Sequence, residues 1–164
     1  MDKVKATVDF MVKHDLHLTT AESCTAGLIS SMLADISGCG SVLEGGFVVY
    51  SVNAKEGWLD INQKTIDTFG LTSEEVAREM AVGALRKSAA NIAISNTGVA
   101  ASDDELDGVV CFACAMTVNG ENAVLSETRR FEGERNEVRK SAALHAITNL
   151  PNYYKRLSKL ENIE

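Results

Sequence analysis

A chain of 164 residues, 45% apolar and 24% charged, has the size of one domain and is long enough to bury a core. Its 16 Lys and Arg against 23 Asp and Glu leave a formal charge of -7, which repels a polyanion; nucleic acid is excluded as a partner, while a local basic pocket for one phosphate is not. MDKVKATVDF has no basic-then-apolar leader and no apolar run nears the roughly 18 residues of a membrane helix, so a cytoplasmic protein without a membrane partner is expected, residues 1–164 forming one domain.

Val4, Val8, Met11 and Val12 recur at helical spacing and predict an amphipathic helix that ends before His14 to Leu16. His17 to Glu22 alternates and carries threonines, which predicts a strand running straight into Ser23-Cys24-Thr25. AGLISSMLADIS then places Leu28, Ile29, Met32, Leu33 and Ile36 on one helical stripe. GGFVVYS reads as a buried strand with glycines at its entrance. TSEEVAREMAVGALRKS reads as a helix opened by a capping box of Thr72 and Glu75, with Val76, Met80 and Ala84 facing the core. NIAISNTG, GVVCFACAMTV and ENAVLSETRRF are three further strands, the last two joined as an antiparallel hairpin through Asn119-Gly120. A last helix, from about Glu134 to Leu150 with Val138, Ala142 and Ala146 four apart, stops before Pro151, the only proline; the tail to Glu164 is expected to be helical and surface-lying. Helices before, between and after the strands give an α/β sandwich with a mixed sheet, parallel at its start and antiparallel at the hairpin.

The four cysteines, Cys24, Cys39, Cys111 and Cys114, belong to a chain expected to keep its thiols reduced. The pair in CFAC has redox-motif spacing, but residues three apart on a strand face opposite sides of the sheet, so two small core thiols are expected and not a chelate. His14, His17 and His145 do not cluster in sequence, and His145 is expected beside the apolar seam of the last helix.

LTTAESCTAG is therefore a strand-to-helix turn, the place where α/β folds gather ligands. Ser23 or Thr25 caps the helix on one reading and Ser23 is a nucleophile on the other. YSVNAK supplies what a serine nucleophile needs: Tyr50 ends a strand, and Lys55 lies one helical turn on. A lysine desolvated at a sheet end can be neutral near pH 7 and take the serine proton, with Tyr50 as a relay. Cys24, at a helix N-terminus where a thiol pKa is expected to fall, is the rival nucleophile.

TTAESCTAGLIS, GFVVYSVNAK, SEEVAREMAVGAL, the TG of NTGVA and FEGERNEVRKSA together resemble, in order and spacing over about residues 4 to 150, the C-terminal domain family of the competence-damage-inducible protein CinA. The resemblance implies a three-layer α/β/α fold, frequent self-association with a homodimer favoured, and a nicotinamide-nucleotide amidohydrolase that deamidates nicotinamide mononucleotide without a metal or other cofactor. It carries the family's nucleophile onto Ser23, its tyrosine and lysine onto Tyr50 and Lys55, and its substrate-binding positions onto Gly98 of the TG pair and Arg135. By analogy with other nucleotide sites, Thr25 and Gly27 open a helix whose backbone N–H groups would hold the substrate phosphate.

Three positions depart from the family pattern. Its glycine pair after ESCT is Ala26-Gly27 here, its tyrosine-serine-asparagine is Tyr50-Ser51-Val52, and its glycine-rich loop after TG is the shorter, acidic VAASDDELDG. Asp103, Asp104, Glu105 and Asp107 would repel a substrate phosphate if they faced the site, and the alternative to an enzyme is a nucleotide-binding or regulatory paralogue that has lost turnover with this loop.

Overall fold

Alternate residues of VVCFACAMTV turn to opposite faces of a sheet, and the two faces are loaded differently. Val110, Phe112, Cys114 and Met116 join one core, and Cys111, Ala113 and Ala115 the other. In the computed structural model, which describes residues 1–162, five strands form one sheet. They are β1 (Leu18–Glu22), β2 (Leu43–Val48), β3 (Ile92–Gly98), β4 (Val109–Val118) and β5 (Glu121–Arg130), in the order β2-β1-β3-β4-β5. β1 is parallel to both β2 and β3, and the hairpin β4 and β5 completes the sheet antiparallel.

Helices α1 (Asp2–Lys13), α2 (Leu28–Ala34) and α6 (Arg135–Ser158) cover the face of large side chains, where Met11, Ile29, Leu33, Phe112 and Ile147 meet. Helices α3 (Val52–Leu59), α4 (Gln63–Phe69) and α5 (Glu74–Arg86) cover the other. That second core is built from small residues: Ala77, Ala81 and Ala84 of α5 lie on Ala21, Ala93 and Ala113, which lets the helix approach the sheet closely. The molecule is a three-layer α/β/α sandwich with a mixed sheet, as the sequence predicts, and the CFAC thiols back opposite layers with their pKa values raised by burial. Among the described residues no helix is long and apolar enough to cross a membrane.

Several local expectations are corrected. Val12 is 55% exposed, off the buried Val4-Val8-Met11 stripe. The α5 cap is Ser73, whose hydroxyl accepts from Val76 N and donates to Gly70 O, and not Thr72. β2 is an edge strand that alternates half-buried and exposed residues, so GGFVVYS is not buried throughout. The sequence signals α3 only as the helical turn that carries Lys55, and α4 not at all, because VNAKEGWL and QKTIDTF show little apolar contrast around the helix.

The last helix does not stop at Pro151 but runs through it to Ser158, followed by a 3-10 turn at Lys159–Asn162. Proline lacks the N–H that would bond the carbonyl four residues earlier. Here Thr7 Oγ1 of α1 donates to that carbonyl, Ile147 O, at 3.2 Å, so no buried acceptor is left alone. The tail is not wholly surface-lying: Tyr153 and Leu157 are buried in the core, while residues 163 and 164 lie outside the described residues. His145 packs on Phe112 and Phe131, with ring centroids 4.9 and 5.9 Å away, and meets Glu127 of β5 at 2.8 Å.

Candidate active site

β1 has a parallel neighbour on each side, so its C-terminal end is the point where the chain order reverses and a crevice opens. Ser23 is the first residue past that end. Its N–H donates to Asn96 O at 3.1 Å, and Ala26 N returns to Ser23 O at 3.1 Å, which makes a tight turn. Ala26 (φ 45°) and Gly27 (φ 93°) both take left-handed backbone, so α2 begins only at Leu28. This explains the glycine pair of the family pattern, and at Ala26 the conformation costs roughly 1–2 kcal/mol.

Lys55 is 2% exposed, and its Nζ donates to Ser23 Oγ at 2.9 Å and to the carbonyls of Val49 and Tyr50, each at 3.1 Å. Among the described residues no carboxylate bonds it, and burial lowers its pKa from the ordinary lysine value. Sequence and structure therefore bring Ser23 and Lys55 together. Tyr50 is placed differently from a proton relay between them: it is its carbonyl that accepts from Lys55 Nζ, the residue is 60% exposed, and its hydroxyl accepts from Arg135 Nη2 at 3.1 Å. Arg135, in the first turn of α6, so stands beside Tyr50 on the same cavity.

Thr25 and Gly27 are not brought to the cavity. The N-terminus of α2 is already capped by the buried carboxylate of Glu22, which accepts from Ile29 N (2.9 Å), Ser30 N (3.2 Å), Ser30 Oγ (2.9 Å), Thr25 Oγ1 (2.8 Å) and Thr20 Oγ1 (3.0 Å). Thr25 N, Leu28 N, Ile29 N and Ser30 N are already bonded, which leaves only Gly27 N without a partner there among the described residues, and a phosphate would meet the carboxylate of Glu22, so the structure does not support the expected phosphate site at Thr25 and Gly27. The expectation for Cys24 is corrected as well. Its thiol points inward to Asn96 Oδ1 at 3.2 Å, and burial pushes its pKa up to about 11, opposite to the fall expected of a helix N-terminal cysteine.

The cavity, about 580 Å³, is lined by Ser23, Lys55, Tyr50, Arg135 and Gly98 together with two loops, one that sequence reasoning missed and one that is the replaced VAASDDELDG loop. One is Phe69 to Thr72, before α5; the other is Val99 to Ala101 with Leu106. Gly98 is required by backbone crowding, since a Cβ there would sit 2.6 Å from Val109 O. The acidic side chains of the second loop do not line the cavity. Asp104 accepts from Ser102 Oγ and Leu106 N, which lower its pKa, and Asp107 accepts from Ser102 N, so the loop's acids fold it on itself. Among the described residues no three His, Cys, Asp or Glu side chains group as a metal would require.

Glu22, Asn96 and Arg139 were also missed. Asn96 Nδ2 donates to Thr25 Oγ1, and Arg139 donates to the carbonyls of Cys24 and Thr25. The signals were present as a carboxylate ending an all-buried strand, an amide within IAISNTG, and an arginine four residues after Arg135 on the same helical face.

The family model of the CinA C-terminal domain matches residues 2–154. The protein named nicotinamide-nucleotide amidohydrolase PncC of Escherichia coli is 39% identical over 137 residues, 81% of each chain. A CinA-like protein of Chlorobium phaeobacteroides is 43% identical over 141 residues, 81% of this chain but 33% of its own length, so the chain spans about a third of such longer relatives. Among solved structures, the competence/damage inducible protein CihA of Agrobacterium tumefaciens has a TM-score of 0.83 at 32% identity, with 93% of this chain and 94% of that one covered. A CinA superfamily protein of Escherichia coli has a TM-score of 0.82 at 30% identity, with 91% and 87% covered. By sequence and by fold, the chain belongs to the CinA C-terminal domain family.

Proposed function

We propose that the protein hydrolyses the carboxamide of nicotinamide mononucleotide to the carboxylate and ammonia, with Ser23 as nucleophile and Lys55 as base. The observation that carries the reading is the 2.9 Å contact of Ser23 Oγ with a buried lysine that has no carboxylate partner among the described residues. A neutral Lys55 amine keeps two N–H bonds, to Val49 O and Tyr50 O, and turns its lone pair to the Ser23 hydroxyl. Ser23 Oγ attacks the carboxamide carbon as its proton passes to Lys55, and the developing oxyanion faces the backbone N–H of Cys24. Lys55 then returns the proton to the departing nitrogen, which leaves as ammonia. The acyl-enzyme is cleaved by water, with Lys55 again as base. Arg135 is the candidate for the substrate phosphate, displacing the hydroxyl of Tyr50. The name and 39% identity of the Escherichia coli relative support this choice of substrate.

The second reading, a nucleotide-binding or regulatory paralogue, draws on the replaced loop, which brings Leu106 to the cavity. Ammonia release from nicotinamide mononucleotide decides between them. The enzyme reading expects release that Ser23→Ala abolishes and Cys24→Ala preserves; nucleotide binding without release supports the paralogue. A cytoplasmic homodimer is the proposed working form, to be checked by light scattering.

A further inference from the structure

Arg139, one turn into α6 beyond Arg135, reaches back to the turn that carries Ser23. Its Nε donates to Cys24 O at 2.9 Å and its Nη2 to Thr25 O at 3.3 Å, while Nη1 rests on Asn136 Oδ1 at 3.2 Å. A peptide group is planar, so fixing its carbonyl also aims its N–H. The peptide between Cys24 and Thr25 is gripped at both ends, by Arg139 at the carbonyl and by Asn96 Oδ1 at the Thr25 N–H, 3.4 Å away. In the next peptide, Thr25 O takes Arg139 and Leu28 N, and Ala26 N returns to Ser23 O. The peptide between Ser23 and Cys24 is thereby set from its neighbours. Its N–H, on Cys24, is the one donor from Ser23 to Ala26 that bonds no other residue among the described ones.

We infer that Arg139 is a positioning residue for the nucleophile turn: by holding the carbonyls of Cys24 and Thr25 it sets the direction of Ser23 Oγ and of the Cys24 N–H. The inference rests on the reading of Ser23 as nucleophile, and it gives Arg139 no contact with substrate. The geometry asks for an arginine. One planar fork spans two successive carbonyls, whereas a lysine ammonium is a point donor that holds one of them well. The turn needs such a brace because Ala26 holds left-handed backbone without being glycine, a conformation that relaxes when its surroundings loosen.

The test measures labelling of Ser23 by a serine-directed fluorophosphonate probe, located by mass spectrometry, in parallel with nicotinamide mononucleotide deamidation. Arg139→Ala is expected to slow labelling and lower kcat by about 10- to 100-fold, as small displacements of a nucleophile do, with KM unchanged. Arg139→Lys should fall between the two, and millimolar ethylguanidinium should restore part of the labelling rate of Arg139→Ala. An Arg139→Ala protein that melts lower but labels at the wild-type rate would reduce Arg139 to a structural tie and overturn the inference. Wild-type protein that leaves Ser23 unlabelled overturns it too. Wild-type protein that is labelled but does not deamidate the nucleotide sinks the substrate reading alone, and the labelling rates still decide on Arg139. If Arg139→Ala fails to fold, Arg139→Lys gives the same comparison.

Discussion

Replacing Glu22 by glutamine changes one oxygen into an NH2 group at nearly constant shape, and the five donors around Glu22 make the outcome calculable. The amide oxygen will take the position of Oε2, where Thr20 Oγ1, Ser30 N and Ser30 Oγ all donate. The NH2 group then faces Thr25 Oγ1 and Ile29 N. The threonine hydroxyl can rotate to accept, but a backbone N–H cannot, so Ile29 N is left buried and unpaired at a cost of roughly 1–3 kcal/mol. Loss of the negative charge at the start of α2 adds about 0.3–1 kcal/mol. Three charge-assisted hydrogen bonds become neutral ones, while the cost of burying a charge disappears, and these oppose one another. The net expectation is a destabilisation of about 3 kcal/mol, within the roughly 5–15 kcal/mol of a typical domain, so Glu22→Gln still folds. Urea unfolding followed by circular dichroism measures it directly, and the midpoint temperature should fall by about 6–12 °C. A variant within about 1 kcal/mol of wild type would show that the cap does not depend on a carboxylate, and the account of this turn would be wrong.

Deamidation should rise with pH through one ionisation below the ordinary lysine value of 10.5, because burial favours the neutral amine of Lys55; Lys55→Arg should be inactive, and a rate flat from about pH 6 to 10 contradicts the base assignment. At Glu127 burial pushes the carboxyl pKa up, but hydrogen bonds from Tyr153, His145 and Arg129 outweigh it and bring it from 4.5 down to about 2. Its contribution to stability is present above pH 4.5 and lost as pH falls toward 2, so Glu127→Gln should melt lower at pH 7 and lose that acid dependence. Replacing Asp103, Asp104 and Glu105 by serine should leave KM for the nucleotide unchanged, since these exposed carboxylates lie outside the cavity lining. A KM lowered several-fold would mean that they face the bound substrate.

Alternation in GVVCFACAMTV, the Asn119-Gly120 turn and the Val76-Met80-Ala84 stripe each name a local structure that hardly depends on distant residues, and the sheet and its layers follow from them. The turn at Ser23 was legible for a similar reason, as a strand signal running directly into a helix stripe. What the chain could not show locally is who answers each polar group across space. Pro151 ends a helix by local rules, yet Thr7, 140 residues distant in sequence from Ile147, satisfies the orphaned carbonyl and the helix continues. A free helix N-terminus attracts phosphate, yet Glu22 already fills this one. A cysteine beside a helix start is expected to be acidic, yet burial leaves it the reverse. Sequence patterns determine which residues are apolar and how often they recur, and so the secondary structure and its layering; desolvation and hydrogen-bond pairing are properties of neighbours in space, and here they decided that a buried Lys55 meets Ser23 at the cavity and that Thr25 and Gly27 do not line it.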